Sequence, residues 1–208
     1  MISSDADLPF SQACENNKRP ILDVLRRHLR AGDEVLEVGS GTGQHAVFFA
    51  DQLDGVVWQP SDRRLGLGGL AERVTRFDRT HLRPPLALDV DVLPWRVRPY
   101  DVVFSANTLH IVSWSSVERF FRGVGALLQP GGRLIVYGPF NYDGAFTSAS
   151  NAAFDASLRV RDPQSGIRDF EQVDRLARAA GLRLVEDSAM PANNRTLVWC
   201  RAASAVGS

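Results

Sequence analysis

Three glycines that follow a short apolar strand are the clearest chemical feature of the sequence. Residues 35–46 read VLEVGSGTGQHA, an apolar run that contains one acidic residue and leads into a helix-like stretch. Glycines let the backbone turn sharply and let a ligand approach where a Cβ would collide, while the next helix N-terminus offers unpaired N–H groups. The pattern predicts a nucleotide-like cofactor bound by Glu37, Val38, Gly39, Ser40, Gly41 and Gly43.

Two cofactors are bound by loops of this kind, and the spacing separates them. A dinucleotide fingerprint G-x-G-x-x-G that starts at Gly39 fails at Gln44, and one that starts at Gly41 survives only with Ala46 in the last position. The E-x-G-x-G-x-G spacing resembles motif I of S-adenosylmethionine-dependent methyltransferases. That cofactor carries an ammonium and a sulfonium instead of phosphates, so Glu37 would serve a cation.

Two acidic residues at the ends of later strands extend the predicted cofactor site. Asp62 ends the stretch WQPSD, and one carboxylate accepts hydrogen bonds from both hydroxyls of a ribose. This position serves NAD and S-adenosylmethionine equally well. Asp89 closes the third predicted strand, where methyltransferases of this class often place an acidic residue beside the adenine amino group. The backbone amide of the next residue, Val90, would then contact the adenine ring.

The loop after the fourth predicted strand is the candidate reaction centre. Residues 100–114 read YDVVFSANTLHIVSW, and ligands of open α/β sheets bind beyond the carboxyl ends of the strands. We expect Asn107, His110 and Trp114 to face this centre, with Asn107 counted as a cofactor contact. His110 is the first candidate for a general base and Tyr137, in the fifth strand, is the second. A purely structural role is an equal alternative for His110 and for Trp114.

Composition limits the classes of function. The 208 residues fit a single domain, 1–208, that begins with an N-terminal segment and capping helix at 1–31. Basic and acidic residues number 24 each, so no overall field attracts nucleic acid or a membrane. Cys14 and Cys200 form no metal-binding pattern, and no apolar run reaches the roughly 18 residues of a membrane span. We expect a cytoplasmic protein without a metal.

Alternating strand-like and helix-like stretches predict an α/β fold with a mainly parallel, doubly wound sheet and helices on both faces. Pro20 opens an amphipathic helix that ends near Gly32, and possible capping boxes begin at Ser115 and Asp169. Only PANNR separates the last two strands. A parallel crossover needs about ten or more residues, so this pair must be an antiparallel hairpin. Such a Rossmann-like sheet resembles the seven-stranded class I methyltransferase fold.

Longer strings, spread over almost the whole chain, resemble the methyltransferase-like protein 26 family. They are ENNKRPILDVLR, GSGTGQHAVFFA, WQPSD, YGPF, SNAAFDASLRVRDPQSGIRD and PANN. The resemblance implies a class I methyltransferase fold with S-adenosylmethionine as cofactor, and it supplies no substrate. The chain departs from the family pattern at Asn16, where the family tends to have arginine before an Asn-Lys pair.

The segment 140–169 is longer than the two to six residues common between a strand and the next helix. We interpret it as a lid over the acceptor pocket, helped by the N-terminal segment around Asn17. The candidate substrate-binding residues are Asn17, Trp114, Asn151 and Arg168. The alternative is a structural excursion in which the arginines pair with Asp155, Asp162 and Asp169.

Methyl transfer to a small-molecule acceptor is the function that these features favour, with a protein side chain as the second choice of acceptor. Methyl transfer is an in-line displacement, so the protein mainly aligns and dehydrates the reactants. An NAD(P)-dependent oxidoreductase is the first alternative, although no Tyr-x-x-x-Lys pair occurs. A catalytically silent protein with this fold, acting as a binding partner, is the second alternative. The acceptor atom and the oligomeric state stay open.

Overall fold

The computed structural model describes residues 8–77 and 79–203. The chain divides into two compact units, residues 1–89 and 90–208, which are described in turn.

Among its described residues, the N-terminal unit contains three helices and three parallel strands. The strands lie in the order β3-β2-β1, with Val38 beside Ser61 and Asp62 beside Ala87. In chain order the elements are α1 (Gln12–His28), β1 (Glu34–Val38), α2 (Gln44–Gln52), β2 (Val57–Asp62), a 3-10 turn (Arg64–Gly66), α3 (Leu67–Phe77) and β3 (Leu86–Ala87).

Helix α1 begins earlier than the sequence predicts. Its first residue is Gln12, and the Ser11 side chain caps it by accepting the backbone N–H of Cys14. Pro20 therefore lies inside the helix, and the prediction that Pro20 opens it is wrong. The apolar stripe of the helix is as predicted, since Ile21 and Leu25 are fully buried. A proline removes one backbone donor, and the packing of this face outweighs that loss.

The C-terminal unit carries four strands of a mixed sheet in the order β4-β5-β9-β8. Strands β4 and β5 are parallel, whereas β9 is antiparallel to both β5 and β8. A separate two-stranded parallel sheet pairs β6 with β7. The elements are β4 (Tyr100–Ala106), α4 (Trp114–Leu127), β5 (Leu128–Gly138), β6 (Phe140–Asn141), α5 (Ala149–Arg161), β7 (Arg168–Asp169), α6 (Phe170–Ala179), β8 (Leu182–Met190) and β9 (Asn194–Arg201).

The predicted terminal hairpin is confirmed. A 3-10 turn over Pro191–Asn193 joins β8 to β9, and Ala192 and Asn193 adopt positive φ angles of 57° and 56°. Among the described residues, the three strands of the first unit and the four strands of the mixed sheet in the second make seven, mostly parallel, with helices between them along the chain. This agrees with the predicted α/β, Rossmann-like architecture. No helix of the described residues is long and apolar enough to cross a lipid bilayer.

The two predicted capping boxes have different outcomes. The cap of α4 is Ser113, which accepts the N–H of Ser116 over 3.1 Å, so the prediction of Ser115 as the cap is wrong. Asp169 is the N-cap residue of α6, as predicted, but its side chain accepts no backbone N–H of the described residues. Instead it accepts the Gln172 side-chain amide over 2.7 Å.

Candidate functional site

The glycine loop that follows β1 is fixed to the end of β2. The N–H groups of Gly39 and Ser40 both donate to the carbonyl of Ser61, over 3.0 and 2.9 Å. Gly41 and Gly43 have left-handed φ angles of 53° and 76°. A Cβ on Gly43 would lie 2.7 Å from Leu70 Cδ1, whereas one on Gly41 would meet no non-adjacent described residue within 4 Å. The loop is thus closed on its helix side and open at Gly41, as a cofactor cradle requires.

Glu37 is buried beneath this loop. Its Oε2 accepts hydrogen bonds from Ser40 Oγ over 2.9 Å and from Trp58 Nε1 over 3.0 Å. Burial raises the pKa of Glu37 to about 7; the two hydrogen bonds oppose the shift and the nearby Asp62 charge adds to it. The carboxyl group therefore changes charge near neutral pH, and a cation placed beside it would favour the ionised form.

Asp62 lies where β2 ends and turns toward the glycine loop. Its Oδ2 accepts the N–H of Gly41 and its Oδ1 accepts the N–H of Arg63, both over 2.7 Å. The N–H of Leu88 donates to the Asp62 carbonyl over 2.9 Å, which places half-buried Asp89 one residue beyond this contact. The structure therefore brings Glu37, Asp62 and the glycine loop together, with Asp89 close by in the chain.

Contacts with α1 and α3 support the glycine loop, and no sequence pattern predicted them. Gln44 accepts the N–H of Ser11 over 2.6 Å and donates to Glu15 over 2.7 Å. The buried Arg73 donates to the carbonyl of Thr42 over 2.7 Å and to that of Pro9 over 2.8 Å. These contacts could not be predicted because each joins residues that are far apart in the sequence and lie in different helices or loops.

Asn17, a predicted acceptor contact, is buried in the same unit. Its Oδ1 lies 2.7 Å from Nε2 of His45, which is also buried. Burial lowers the pKa of His45 to about 4, so the ring is neutral at pH 7. The amide oxygen of Asn17 is therefore already engaged by a neutral imidazole that donates from Nε2.

In the C-terminal unit, the chain leaves β4 through a strained residue. Asn107 has a positive φ of 56°, and its N–H donates to the carbonyl of Tyr137 over 2.9 Å. This bond joins the ends of β4 and β5, so the structure brings together the predicted residues Asn107 and Tyr137. Tyr137 itself is buried, as is Val90 at the start of this unit. Sparsely populated backbone conformations of this kind recur at functional sites.

His110 is 5% exposed, and its ring nitrogens make no hydrogen bond with the described residues. The ring of Phe154 packs edge-on against it, with centroids 5.5 Å apart. A Cβ on Gly138 would lie 3.5 Å from its Nδ1. Burial lowers the pKa of His110 to about 4, and the positive charges of Arg168 and Arg161 add to the shift. The imidazole is therefore neutral at pH 7, and its lowered pKa makes it a weaker proton acceptor than an exposed imidazole.

Arg168 supports the loop that carries His110. Its guanidinium donates to the backbone carbonyls of Leu109, Val112 and Gln164. Arg168 and Trp114 also line a cavity of about 200 Å³. The predicted substrate residues Arg168 and Trp114 therefore lie together, but the Arg168 guanidinium already has protein partners.

Hydrogen bonds connect segment 140–169 to the terminal hairpin. Tyr142 donates to Asp187 over 2.8 Å, and Asn151 donates to the carbonyl of Asn193 over 3.1 Å. Within the segment, Arg159 pairs with Asp155 over 2.7 Å, one of the ion pairs that the structural alternative predicts. The lid interpretation stays a prediction. Across the described parts of the chain, no group of histidine, cysteine and acidic side chains could hold a metal ion.

Known proteins resemble the chain in sequence and in structure. The sequence model of a family described as Protein of unknown function (DUF938) matches residues 8–201. The highly reducing polyketide synthase otaA of Aspergillus niger is 30% identical over 132 residues, which are 52% of this chain and 5% of that protein. The chain thus spans a small fraction of that relative. The resemblance to the methyltransferase-like protein 26 family stays a prediction.

Solved structures share the fold. An O-methyltransferase family protein from Burkholderia thailandensis superposes with a TM-score of 0.79 at 17% identity, over 93% of this chain and 58% of that one. Human N-acetylserotonin methyltransferase, solved in complex with SAM, gives a TM-score of 0.78 at 15% identity, over 92% of this chain and 53% of that one. The chain spans just over half the length of each. The likeness confirms the predicted Rossmann-like, seven-stranded class I methyltransferase fold.

Proposed function

Because the chain belongs to the family described as Protein of unknown function (DUF938), we propose a function from its site: S-adenosylmethionine-dependent methyl transfer to a small-molecule acceptor. The observation that carries this proposal is the juxtaposition of Glu37, the glycine loop and Asp62 in the N-terminal unit. The hydrogen bond from Gly41 to Asp62, 2.7 Å long, ties the loop to the second carboxylate.

The residues of this site fit the chemistry of an adenosyl amino acid. Asp62 keeps acceptor positions beyond its two backbone bonds, and these suit the hydroxyls of a ribose. Glu37 accepts a hydrogen bond from Ser40 of the loop, and the proposed partner of its ionised form is the ammonium of the cofactor. Asp89, in the same unit, is proposed to extend the cofactor contacts beside the adenine. The open face at Gly41 leaves the backbone accessible.

When bound, S-adenosylmethionine supplies a methyl group on a positively charged sulfur, which makes the sulfur a good leaving group. The protein then has to align the acceptor and remove its proton where the nucleophile carries one. We assign the proton to a ring nitrogen of His110, because the imidazole is neutral and has no hydrogen-bond partner among the described residues. Tyr137 is the second candidate.

The acceptor is proposed to lie on the side of His110 where Phe154 and Trp114 offer aromatic surface. Asn151 and Arg168 already bond to protein groups, so their proposed role is to hold the walls of the acceptor site. The balanced charge of the chain supports a small molecule over a nucleic acid as the acceptor.

Calorimetry with S-adenosylmethionine, S-adenosylhomocysteine and NAD tests the cofactor. We expect micromolar to submicromolar binding of the two sulfur compounds and none of NAD. Asp62→Asn should weaken binding at least tenfold, because a charged acceptor makes stronger hydrogen bonds than a neutral one. Asp54→Asn, at an exposed position, is the matched control and should bind as the wild type does. NAD binding in preference to S-adenosylhomocysteine would reverse the proposal.

A transfer assay then addresses the acceptor. Methyl-labelled S-adenosylmethionine is incubated with panels of small phenols, thiols and amines, and labelled product is counted after extraction. Transfer that His110→Asn lowers at least a hundredfold, with cofactor binding unchanged, supports the proposed base. Equal transfer by both proteins would remove His110 from the chemistry while leaving the cofactor assignment intact.

A further inference from the structure

Gly66 closely faces the Asp62 carboxylate. Gly66 ends the 3-10 turn after β2, and its N–H donates to the carbonyl of Arg63 over 2.8 Å. A Cβ built on Gly66 would lie 2.9 Å from Asp62 Oδ1, 3.0 Å from Cγ and 3.4 Å from Cβ. Contacts under 3.0 Å are essentially never seen for real Cβ atoms, so only a hydrogen fits here while Asp62 keeps its position.

Backbone conformation does not explain the glycine. The φ angle of Gly66 lies outside the left-handed region, in contrast to Gly41 and Gly43 in the cofactor loop. An alanine would therefore cause no backbone strain at this position. The requirement is for space, and the three atoms nearest to the added Cβ all belong to the Asp62 side chain.

On its other sides, the Asp62 carboxylate is held by two backbone donors. Gly41 donates to Oδ2 and Arg63 to Oδ1, each over 2.7 Å. A carboxylate has about four acceptor positions, so about two remain for further donors. Asp62 is half-buried, while Gly41 and Gly66 are exposed, so a ligand can reach the group from solvent. Two remaining acceptor positions on one carboxylate match two neighbouring hydroxyl groups.

We propose that Gly66 is a positioning residue that keeps the Asp62 carboxylate in register with the two hydroxyls of a ribose, and that it acts through Asp62. This inference rests on the proposed function, which supplies the ribose. An alanine at 66 displaces the end of a flexible side chain, so the fold tolerates it. The displaced carboxylate loses its alignment with Gly41 and with the ribose, so the cost appears in nucleoside binding.

The test compares Gly66→Ala with Gly68→Ala. Gly68 lies two residues away in α3, also outside the left-handed region, and a Cβ there would meet no described atom within 4 Å beyond its neighbours and its own helix. Calorimetry measures the Kd of each protein for S-adenosylhomocysteine. Direct titrations give the Kd values for adenosine and 2′,3′-dideoxyadenosine, which lacks both hydroxyls.

We expect Gly66→Ala to raise the Kd for S-adenosylhomocysteine at least about tenfold, the effect of weakening a hydrogen bond to a charged group. Gly68→Ala should leave that Kd within twofold of the wild type. The preference of the wild type for adenosine over dideoxyadenosine should collapse in Gly66→Ala and persist in Gly68→Ala. Melting temperatures of all three proteins should agree within a few degrees.

Three results would overturn the inference. They are wild-type affinity for S-adenosylhomocysteine in Gly66→Ala, equal weakening in both variants, and weakening in Gly66→Ala with the adenosine preference intact. Failure of the proposed function has a different signature, namely wild-type protein that binds adenosine with the hydroxyl preference but does not bind S-adenosylhomocysteine. Wild-type protein that binds neither compound would overturn both.

Discussion

The indole Nε1 of Trp58 donates a hydrogen bond to Oε2 of Glu37 over 3.0 Å. Both residues are buried, Trp58 completely, and they lie on the neighbouring strands β2 and β1. Ser40 donates to the same oxygen. The two donors stabilise the ionised carboxylate, yet burial outweighs them, and the pKa of Glu37 is therefore raised to about 7.

Cofactor affinity should consequently depend on pH. An ammonium beside Glu37 favours the ionised form, so we expect the Kd for S-adenosylhomocysteine to fall as the pH rises from 6 to 8. Below pH 7, binding should release up to one proton, which calorimetry in buffers of different ionisation heat detects. Glu37→Gln should bind about tenfold more weakly and show no such dependence. An unchanged pH profile in that variant would exclude Glu37 as the titrating group.

Removing the indole donor should move this profile. Trp58→Phe withdraws one hydrogen bond from the ionised form, so the pKa of Glu37 and the midpoint of the affinity curve should both rise.

The raised pKa of Glu37 also makes the free energy of unfolding depend on pH. The folded state holds its Glu37 proton up to about pH 7 and the unfolded state loses it near 4.5, so this contribution falls as the pH rises between those values. Urea denaturation of wild type and Glu37→Gln across this range measures it.

His110 should stay neutral to unusually low pH. Its pKa of about 4 predicts that the carbon-13 signal of its ring moves only below pH 5, with the resonance assigned by its loss in His110→Asn. The unfolded state gains its proton near pH 6.5, so the neutral burial of His110 stabilises the fold above 6.5. That contribution is lost as the pH falls toward 4. A midpoint near 6.5 in the folded protein would contradict the buried position.

Gly123→Ala should destabilise the C-terminal unit by about 1–3 kcal/mol through overpacking. A Cβ there would lie 2.5 Å from Cζ2 and 2.6 Å from Cδ2 of Trp95, whose ring packs edge-on against Phe120. Alanine is the better helix former by about 1 kcal/mol, so the clash has to exceed that gain. At Gly68 an added Cβ meets no described atom beyond its neighbours and its own helix, so Gly68→Ala should leave the free energy of unfolding unchanged or raise it. Chemical denaturation followed by fluorescence measures both variants. A loss of equal size in both would contradict the packing argument.

Arg168→Met should lower the free energy of unfolding by about 3 kcal/mol, because it leaves the carbonyls of Leu109, Val112 and Gln164 without their donor. Arg168→Lys should retain little of this free energy, because the lysine ammonium lacks the planar, forked set of donors of arginine. Faster hydrogen exchange in residues 109–112 should accompany the loss. Arg119→Met removes a surface ion pair with Asp91 and should cost less than about 1 kcal/mol. Comparable losses for the two arginines would contradict the anchoring role.

Periodicity, glycine spacing and loop length predicted the strands of the two larger sets, the terminal hairpin and the positions of Glu37 and Asp62, because these signals are local, whereas the short strands β6 and β7 were missed. The start of α1 was missed because Pro20 normally begins a helix, whereas here the buried face around Ile21 extends the helix through it. The contacts of Arg73 with Thr42 and Pro9 could not be predicted. These contacts join residues that lie 31 and 64 positions apart in the sequence. A single sequence does not indicate which distant residues contact each other.

The last strand of the C-terminal unit has a consequence for how the protein is made. Strand β9 lies between β5 and β8, so it pairs on both sides although it is translated after each of them. On the ribosome, β5 is synthesised some sixty residues before β9, the strand with which it pairs. Its apolar residues Ile135 and Val136 therefore lack this partner until β9 has been made. A nascent chain stalled short of residue 194 should therefore be a substrate for chaperones and proteases, while one released past residue 201 can complete the sheet.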